Sequence, residues 1–411
     1  MSELLSAELD ALLARDPDAV RQWEQSVFDE LTAPFGNALV VFGAGGLGRK
    51  TVAGLRRRGI EPLALADSNP ALWGSTIDGV AVLPPAEAAR RFRERATFVI
   101  AIWTGEATDT MVDRKQQLMN LGCTSVVPFV PLFWKYPDEF LPHFMWELPH
   151  RVIEQADLVR KAYGLLADDV SRREYISHLR LRMLSDFDGL AAPTAERIYF
   201  PHDLVVLSDR EVLADCGAFD GDTIREFLEI AGDSFSRIVA FEPDPLNFPR
   251  LRDYVLSLPA ATQRRIALFP KAVGSREETV RFLTLGTAGS AVSAEGTADV
   301  DVMPLDSLPS DIQPTFIKID IEGTELEAIR GAAWLVEHAR PLLAVCAYHK
   351  YDHLWQIPLL IHSYSSDYRF SLKTHLVDGW DLVCYAVPTA RRRDSITSRV
   401  VALSEGQRQS G

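Results

Sequence analysis

Glu211–Thr223 reads EVLADCGAFDGDT. The apolar run Val212-Leu213-Ala214 predicts a buried strand that closes on Asp215. Gly217-Ala218-Phe219-Asp220-Gly221 then predicts a small-residue turn, and Asp222 or Thr223 is placed to cap a helix starting near Ile224. A strand, a glycine turn and a helix N-terminus in that order can turn backbone N–H groups and a helix dipole toward a ligand, because glycine has no side chain to block the approach. The acid at the strand tip disfavours a bare phosphate and suits hydroxyls or positive charge. A nucleoside with a cationic amino-acid tail, S-adenosylmethionine, fits that description better than NAD or ATP.

The pattern returns downstream. Arg237–Phe241 predicts a second strand, closed by Glu242-Pro243. A carboxylate there has two acceptor oxygens for two ribose hydroxyls, and the proline keeps Glu242 out of helical geometry. A third strand, Ile266–Phe269, leads to Ala272 and Val273, whose backbone groups can read an adenine edge. A fourth, Phe316–Ile319, runs into Asp320-Ile321-Glu322-Gly323-Thr324-Glu325. Lys318, Asp320 and Glu322 alternate with apolar residues and so share one side of the strand end, facing the crevice where ligands bind in open α/β sheets. The plain alternative is a structural ion pair, Lys318–Asp320 or Lys318–Glu322. Further strands are predicted at Leu342–Val345, Tyr368–Leu372 and Leu382–Val387, and a hairpin around Thr279–Leu283 and Val300–Pro304. The short link before Leu382 predicts an antiparallel pair at the sheet end. Tyr199–Leu207 reads as a strand or hairpin leading into the central turn.

Asp215-Cys216-Gly217-Ala218, Phe241-Glu242-Pro243, Ala272-Val273-Gly274 and Ile317–Glu325 (IKIDIEGTE) resemble the FkbM family of S-adenosylmethionine-dependent methyltransferases over about 205–390. The resemblance implies a class I methyltransferase fold, with methyl transfer to a hydroxyl oxygen of a sugar or natural-product acceptor. Candidate cofactor-binding residues are Asp215, Gly217, Ala218, Gly221, Thr223, Glu242, Ala272 and Val273. A hydroxyl acceptor must lose a proton, and the candidates to take it are Asp320, Glu322 and His349. His349 and His353, four residues apart, could grip a metal from one helix face, but no Glu occupies the HExxH position. Asp320 and Glu322 could instead hold a divalent ion with substrate oxygens; no metal is assigned.

The N-terminal half carries its own signature. Asn37–Gly43 predicts a strand, Gly43-Ala44-Gly45-Gly46-Leu47-Gly48 matches G-x-G-x-x-G before a helix, and Leu63–Asp67 supplies a second strand ending in an acid. The alternative function is therefore an NAD-linked oxidoreductase or a nucleotide-sugar-binding protein using this domain. With no Tyr-x-x-x-Lys pair or clear hydride-site His nearby, a scaffold or ligand-binding module is the preferred reading. Pro128–Pro149 is rich in aromatics and reads as a packed crossover or as a wall of a substrate pocket.

The fold class expected is α/β, with two Rossmann-like domains, the C-terminal one ending in an antiparallel hairpin. The divisions are N-terminal helices over 1–34, a Rossmann-like domain over 35–130, an aromatic and helical connector over 131–195, the methyltransferase domain over 196–390 and a disordered tail over 391–411. A chain of 411 residues is too long for one ordinary core. Its net charge of −14 argues against nucleic acid as partner, and no apolar stretch reaches the roughly 20 residues a bilayer span needs. The acidic, amphipathic N-terminus is not a signal peptide. Four scattered cysteines with no CxxC pair read as reduced thiols in a cytoplasmic protein. The partner expected is a small-molecule or saccharide acceptor, with homodimer pairing left open.

Overall fold

The computed structural model describes residues 2–106, 109–293 and 295–391. The rest of the expected tail lies outside the described residues. The chain divides into two compact units. The first comprises Met1–Arg160, Arg172–Pro193 and Leu376–Trp380; the second comprises Lys161–Ser171, Thr194–His375 and the chain from Asp381. Most of the stretch read as a connector, 131–160 and 172–193, thus belongs to the first unit.

The first unit holds strands β1 (Leu39–Phe42), β2 (Ala64–Ala66), β3 (Thr76–Ile77), β4 (Val80–Leu83), β5 (Thr97–Ile100) and β6 (Val126–Pro128) in the order β3-β4-β2-β1-β5-β6. All neighbours are parallel except the β3–β4 edge pair. Every residue of β1, β2 and β5 is buried, as strands covered on both faces require. Gly43 has φ +120°, and a Cβ on it would lie 2.5 Å from the Ile102 side chain. A Cβ on Gly48 would meet the Gly43 carbonyl oxygen at 1.9 Å, so the helix Gly46–Arg57 can seat against the turn only with glycine there. Phe129, Phe133, Trp134, Phe140 and Trp146 are buried, with Phe133 stacked on Phe140 at 4.3 Å. The aromatic stretch is packed interior of this unit.

The second unit is built on β7 (Val212–Cys216), β8 (Arg237–Phe241), β9 (Ile266–Phe269), β10 (Ala272–Val273), β11 (Glu278–Leu283), β12 (Ala291–Val292), β13 (Ala298–Met303), β14 (Phe316–Ile319), β15 (Leu342–Cys346), β16 (Tyr368–Thr374) and β17 (Leu382–Pro388). Seven of these form one sheet in the order β16-β17-β15-β14-β7-β8-β9. The strands from β15 to β9 run parallel, and β16–β17 is the expected antiparallel hairpin. The chain winds outward from β7 through β8 and β9, then from β14 through β15 on the other side. The β7–β14 boundary is therefore the topological switch point, where open α/β sheets form their crevice. A second sheet, β10-β13-β11-β12, has its own apolar cluster of Ala272, Phe282, Val300 and Val302.

Three local expectations change. Tyr199–Leu207 contains no strand: the N–H groups of Leu204 and Val205 both turn back to the Pro201 carbonyl, which removes amides a ladder would need. The helix Asp222–Ala231 is capped by Gly221 at φ +91° with no side-chain bond; Asp222 Oδ1 instead accepts the adjacent Thr223 N–H at 2.7 Å. Arg391, placed in the tail by sequence, grips Glu211 through two 2.7 Å bonds and so is tied to the entry of β7. Among the described residues no helix is long and apolar enough to cross a membrane.

Candidate active site

The glycine turn after β7 is closed on itself. The N–H groups of Gly217 and Ala218 both donate to the Phe241 carbonyl, at 3.0 and 2.9 Å, and that of Gly221 donates to Ala218. The Phe219 N–H donates to Glu242 Oε2 at 2.8 Å. The expectation that these N–H groups are open to a ligand is therefore corrected: the β8 tip satisfies them, because β7 and β8 are hydrogen-bonded neighbours. What the turn requires at Gly217 is the absence of a side chain. Gly217 has φ +82°, and a Cβ there would lie 1.9 Å from the Asp320 carbonyl oxygen.

A cleft of about 310 Å³ opens at the switch point. Its lining includes Gly217, Thr223, Glu242, Ala272, Val273, Lys318, Asp320 and Glu322 from the sequence reading, with Tyr199, Tyr348 and Asp381 added by the fold. That volume lies within the roughly 300–1,000 Å³ typical of cofactor sites. Asp215, Ala218, Gly221 and His349 stand behind the lining.

Asp215 is fully buried, and its Oδ1 lies 3.2 Å from Lys318 Nζ. The pair sits in register on adjacent strands, Asp215 on β7 opposite Lys318 on β14. Lys318 Nζ also donates to the carbonyls of Gly217 at 2.5 Å and Cys216 at 3.3 Å. Burial pushes Asp215 up to about 6 against the pull of Lys318. Burial works equally against the Lys318 charge, but Asp215 and Asp320 outweigh it and keep the ammonium above its ordinary range. The Lys318 ion pair thus runs to Asp215, not to Asp320 or Glu322.

Glu242 is buried at the β8 tip, with Oε2 on Phe219 N–H and Oε1 on Asp244 N–H at 2.8 Å each. Burial pushes it up to about 7. Each oxygen still has a lone pair for a ligand hydroxyl. Asp244, which sequence reasoning missed, accepts the N–H of Leu246 at 2.7 Å, the N–H of Gly286 at 3.1 Å and the Ser290 hydroxyl. It pins the 286–290 loop, which supplies Thr287, Ala288 and Ser290 to the cleft. The signal available in sequence was the Asp itself, whose side chain can accept the N–H two residues on, here that of Leu246, as in an Asx turn. Asp244→Ala is expected to destabilise the unit by about 2 kcal/mol through orphaned donors, read as a lower denaturation midpoint and faster proteolysis at 284–292.

Beyond β14 the chain turns sharply, with Glu322 at φ +56° and Gly323 at φ +106°. Asp320 Oδ2 accepts the Tyr199 hydroxyl at 2.8 Å. His349 follows β15 and is buried; its Nδ1 lies 2.7 Å from Glu325 Oε1, while its Nε2 lies 3.5 Å from both Asp320 Oδ1 and Glu322 Oε1. Burial opposes the imidazole's charge, yet Glu325 and Glu322 outweigh it and raise His349 well above its ordinary value. Asp381 rises to about 6 through burial and the nearby Asp320 charge. His353 opens the following helix, His353–Tyr364, with Nδ1 3.2 Å from the other Glu325 oxygen, so the two histidines do not share a helix face.

Residues 215–371 match the family model described as the methyltransferase FkbM domain. The matched stretch lies within the second unit. A crystal structure of a methyltransferase FkbM from Methylobacillus flagellatus is 23% identical, covers 94% of this chain and 98% of its own, and superposes with a TM-score of 0.73, a likeness of fold across both units. A putative rRNA methylase from Clostridium thermocellum (10% identical, 44% of this chain, 89% of its own) and a fibrillarin pre-rRNA processing protein from Methanococcus jannaschii (13%, 46% and 73%) superpose with TM-scores of only 0.29 and add no weight. No curated protein matches the chain. The matched stretch contains the cleft-lining residues Gly217 after β7, Phe241 and Glu242 at the end of β8, and Lys318 on β14.

The first unit has a separate, more open crevice of about 560 Å³ beside Gly43–Leu47. Asp67 at the β2 tip accepts the N–H of Ala44 and of Asn69, each at 2.7 Å. As with Glu242, the acid closes the preceding glycine turn.

Proposed function

We propose that the FkbM domain transfers a methyl group from S-adenosylmethionine to a hydroxyl oxygen of a small-molecule or saccharide acceptor. The observation that carries this reading is Glu242, a buried carboxylate lining the same cleft as Asp320. Glu242 would take the ribose hydroxyls. Gly217 and Thr223 would flank the methionine part, and Ala272 and Val273 the adenine. Asp215, Ala218 and Gly221 would act from behind, Asp215 by holding Lys318 and the other two by shaping the turn. The cofactor supplies an electrophilic methyl carbon on a sulfonium. The protein's share is alignment, worth roughly 7–11 kcal/mol, and removal of the hydroxyl proton. Asp320 lines the cleft, its Oδ1 is buried without a hydrogen-bond partner, and its carboxylate is the candidate acceptor of that proton, with Glu322 and His349 beside it.

Calorimetry with S-adenosylmethionine, S-adenosylhomocysteine and NAD(H) tests the cofactor. Stoichiometric binding of the first two is expected; none at either would sink the reading, and binding of NAD(H) alone would move function to the first unit's crevice. Glu242→Gln should weaken binding by roughly 10–100-fold, the loss of charge-assisted hydrogen bonds. The sign of the pH effect follows from burial. Glu242 holds its proton up to about 7, and only the ionised form accepts two hydroxyl donors. Affinity should be flat above that pH and fall up to about tenfold per unit below it, with the dependence gone in Glu242→Gln. The same shift means that ionising Glu242 between its unfolded value and about 7 reduces stability rather than adding to it.

A further inference from the structure

We propose that Glu325 is a positioning residue: it clamps His349 as an imidazolium and sets that cation against Asp320 and Glu322, so that His349 holds the two carboxylates in place and is not the base. The proposal deepens the methyl-transfer reading of this site and rests on it for the use made of Asp320. One oxygen of Glu325 gathers three donors. Its Oε1 accepts the N–H groups of Ile321 and Gly323, each at 3.2 Å, and faces His349 Nδ1 at 2.7 Å. The two amides belong to the turn that carries Asp320 and Glu322, while His349 follows β15. The Glu325 side chain is fully buried, so water does not compete at this joint. The turn it holds includes the left-handed step at Glu322, which is unfavourable for a residue with a side chain and persists only where its surroundings fix it.

Both ring nitrogens of His349 face carboxylate oxygens. An ionised carboxylate only accepts, so the short contact to Glu325 puts a proton on Nδ1. Nε2 lies 3.5 Å from both Asp320 Oδ1 and Glu322 Oε1. That is long for a hydrogen bond, but a lone pair on Nε2 would point at two anionic oxygens, whereas an N–H there is attracted by both. The geometry thus calls for a proton on each nitrogen. Burial by itself would strip that charge, and Glu325 and Glu322 outweigh it. The other groups around the ring are Asp381, the Tyr348 ring at 4.1 Å, and His353, which lies 3.2 Å from Glu325 Oε2.

A doubly protonated imidazole cannot take the acceptor's proton. It can keep Asp320 and Glu322 ionised side by side, which two neighbouring carboxylates resist without a cation. Lys318, a second buried cation of this site, is committed to Asp215. Asp320 is then fixed from two sides, with the Tyr199 hydroxyl on Oδ2 at 2.8 Å and the imidazolium facing Oδ1. The hydroxyl proton passes to the Asp320 carboxylate, and none moves on His349.

The test uses full-length protein labelled with ¹⁵N-histidine, without cofactor or acceptor. Imidazole nitrogen resonances separate the imidazolium from the neutral ring and are followed from about pH 6 to about pH 9. One of the nine histidines should stay doubly protonated throughout, be missing from His349→Gln and shift in Glu322→Gln. Because His349 is buried and its variant can misfold, Glu322→Gln, whose side chain is 17% exposed, makes the assignment if circular dichroism matches wild type. In Glu325→Gln, which keeps an acceptor for the amides and loses the charge, that resonance should titrate at least about one pH unit lower. A wild-type His349 that is neutral at pH 8, or an unshifted titration in a folded Glu325→Gln, would overturn the proposal. In turnover assays Glu325→Gln should lower kcat roughly 10–100-fold while the acceptor KM stays within about threefold. The loss in His349→Gln should shrink roughly tenfold from pH 7 to pH 9, where Asp320 ionises without the cation; an undiminished loss of roughly 10²–10⁴-fold at both would make His349 the base and overturn the proposal. Calorimetry with S-adenosylmethionine is run alongside. Cofactor binding with a neutral His349 overturns only this inference; a doubly protonated His349 without cofactor binding overturns only the methyl-transfer reading.

Discussion

Lys318→Met is expected to destabilise the second unit by about 3–5 kcal/mol, because it leaves the Asp215 carboxylate buried without its counter-ion. The ammonium also binds the carbonyls of Cys216 and Gly217, so its loss frees the glycine turn at the same time. Thermal melts should show a transition roughly 10 °C lower. Asp215 already holds its proton up to about 6 because burial disfavours its charge, and without Lys318 that value rises further. A carboxyl group whose folded pKa exceeds its unfolded one stabilises the fold at low pH and loses that contribution as pH rises. The deficit of Lys318→Met should therefore be smaller at pH 5 than at pH 8. Asp215→Asn/Lys318→Met should recover much of the loss, since removing both charges avoids an uncompensated one. A single variant as stable as wild type at pH 8 would mean that the pair does not organise the floor of the cleft.

Asp320→Ala should lower turnover by roughly 10²–10⁴-fold while leaving S-adenosylmethionine affinity within about threefold. The expected size is that of a lost general base. The assay needs an acceptor, found by incubating small-molecule extracts with enzyme and cofactor and looking by mass spectrometry for the gain of one methyl. Near-wild-type rates in Asp320→Ala would remove this residue from the mechanism. A parallel collapse of cofactor affinity would instead make Asp320 part of the cofactor site. Tyr199→Phe offers a graded companion, because it frees the Asp320 oxygen that the phenol holds at 2.8 Å without removing the carboxylate.

Much of the second unit was legible from local pattern. Short apolar runs that end in Asp215, Glu242 and Asp320 announce parallel strands with chemistry at their tips, and those strands form with boundaries within about a residue of expectation. Gly217 was readable as a turn residue, but not its reason, which is an Asp320 carbonyl from a strand roughly a hundred residues later. The charge alternation at Lys318, Asp320 and Glu322 was visible; the partner of Lys318 was not. Local spacing favours pairs two or four residues apart, whereas the sheet sets β14 beside β7 and puts Asp215 directly opposite Lys318. Tyr199 was misread as a strand residue, because an aromatic before an apolar run has β-propensity while the Pro201 turn that breaks the strand is a local exception. Asp244 and Asp381 give no periodic signal at all; each matters only through what folds against it.

By itself the sequence determined the element types, the glycine turns, the acids at the strand ends and the likeness to the FkbM domain, because each depends on residues close together in the chain. Tertiary structure alone decided which of those acids face the cleft, that Asp215 neutralises Lys318, and that His349 meets Asp320, Glu322 and Glu325. Those pairings depend on strand order and on loops from separate crossovers. The energy of a buried charge is set by the neighbours that the fold brings to it.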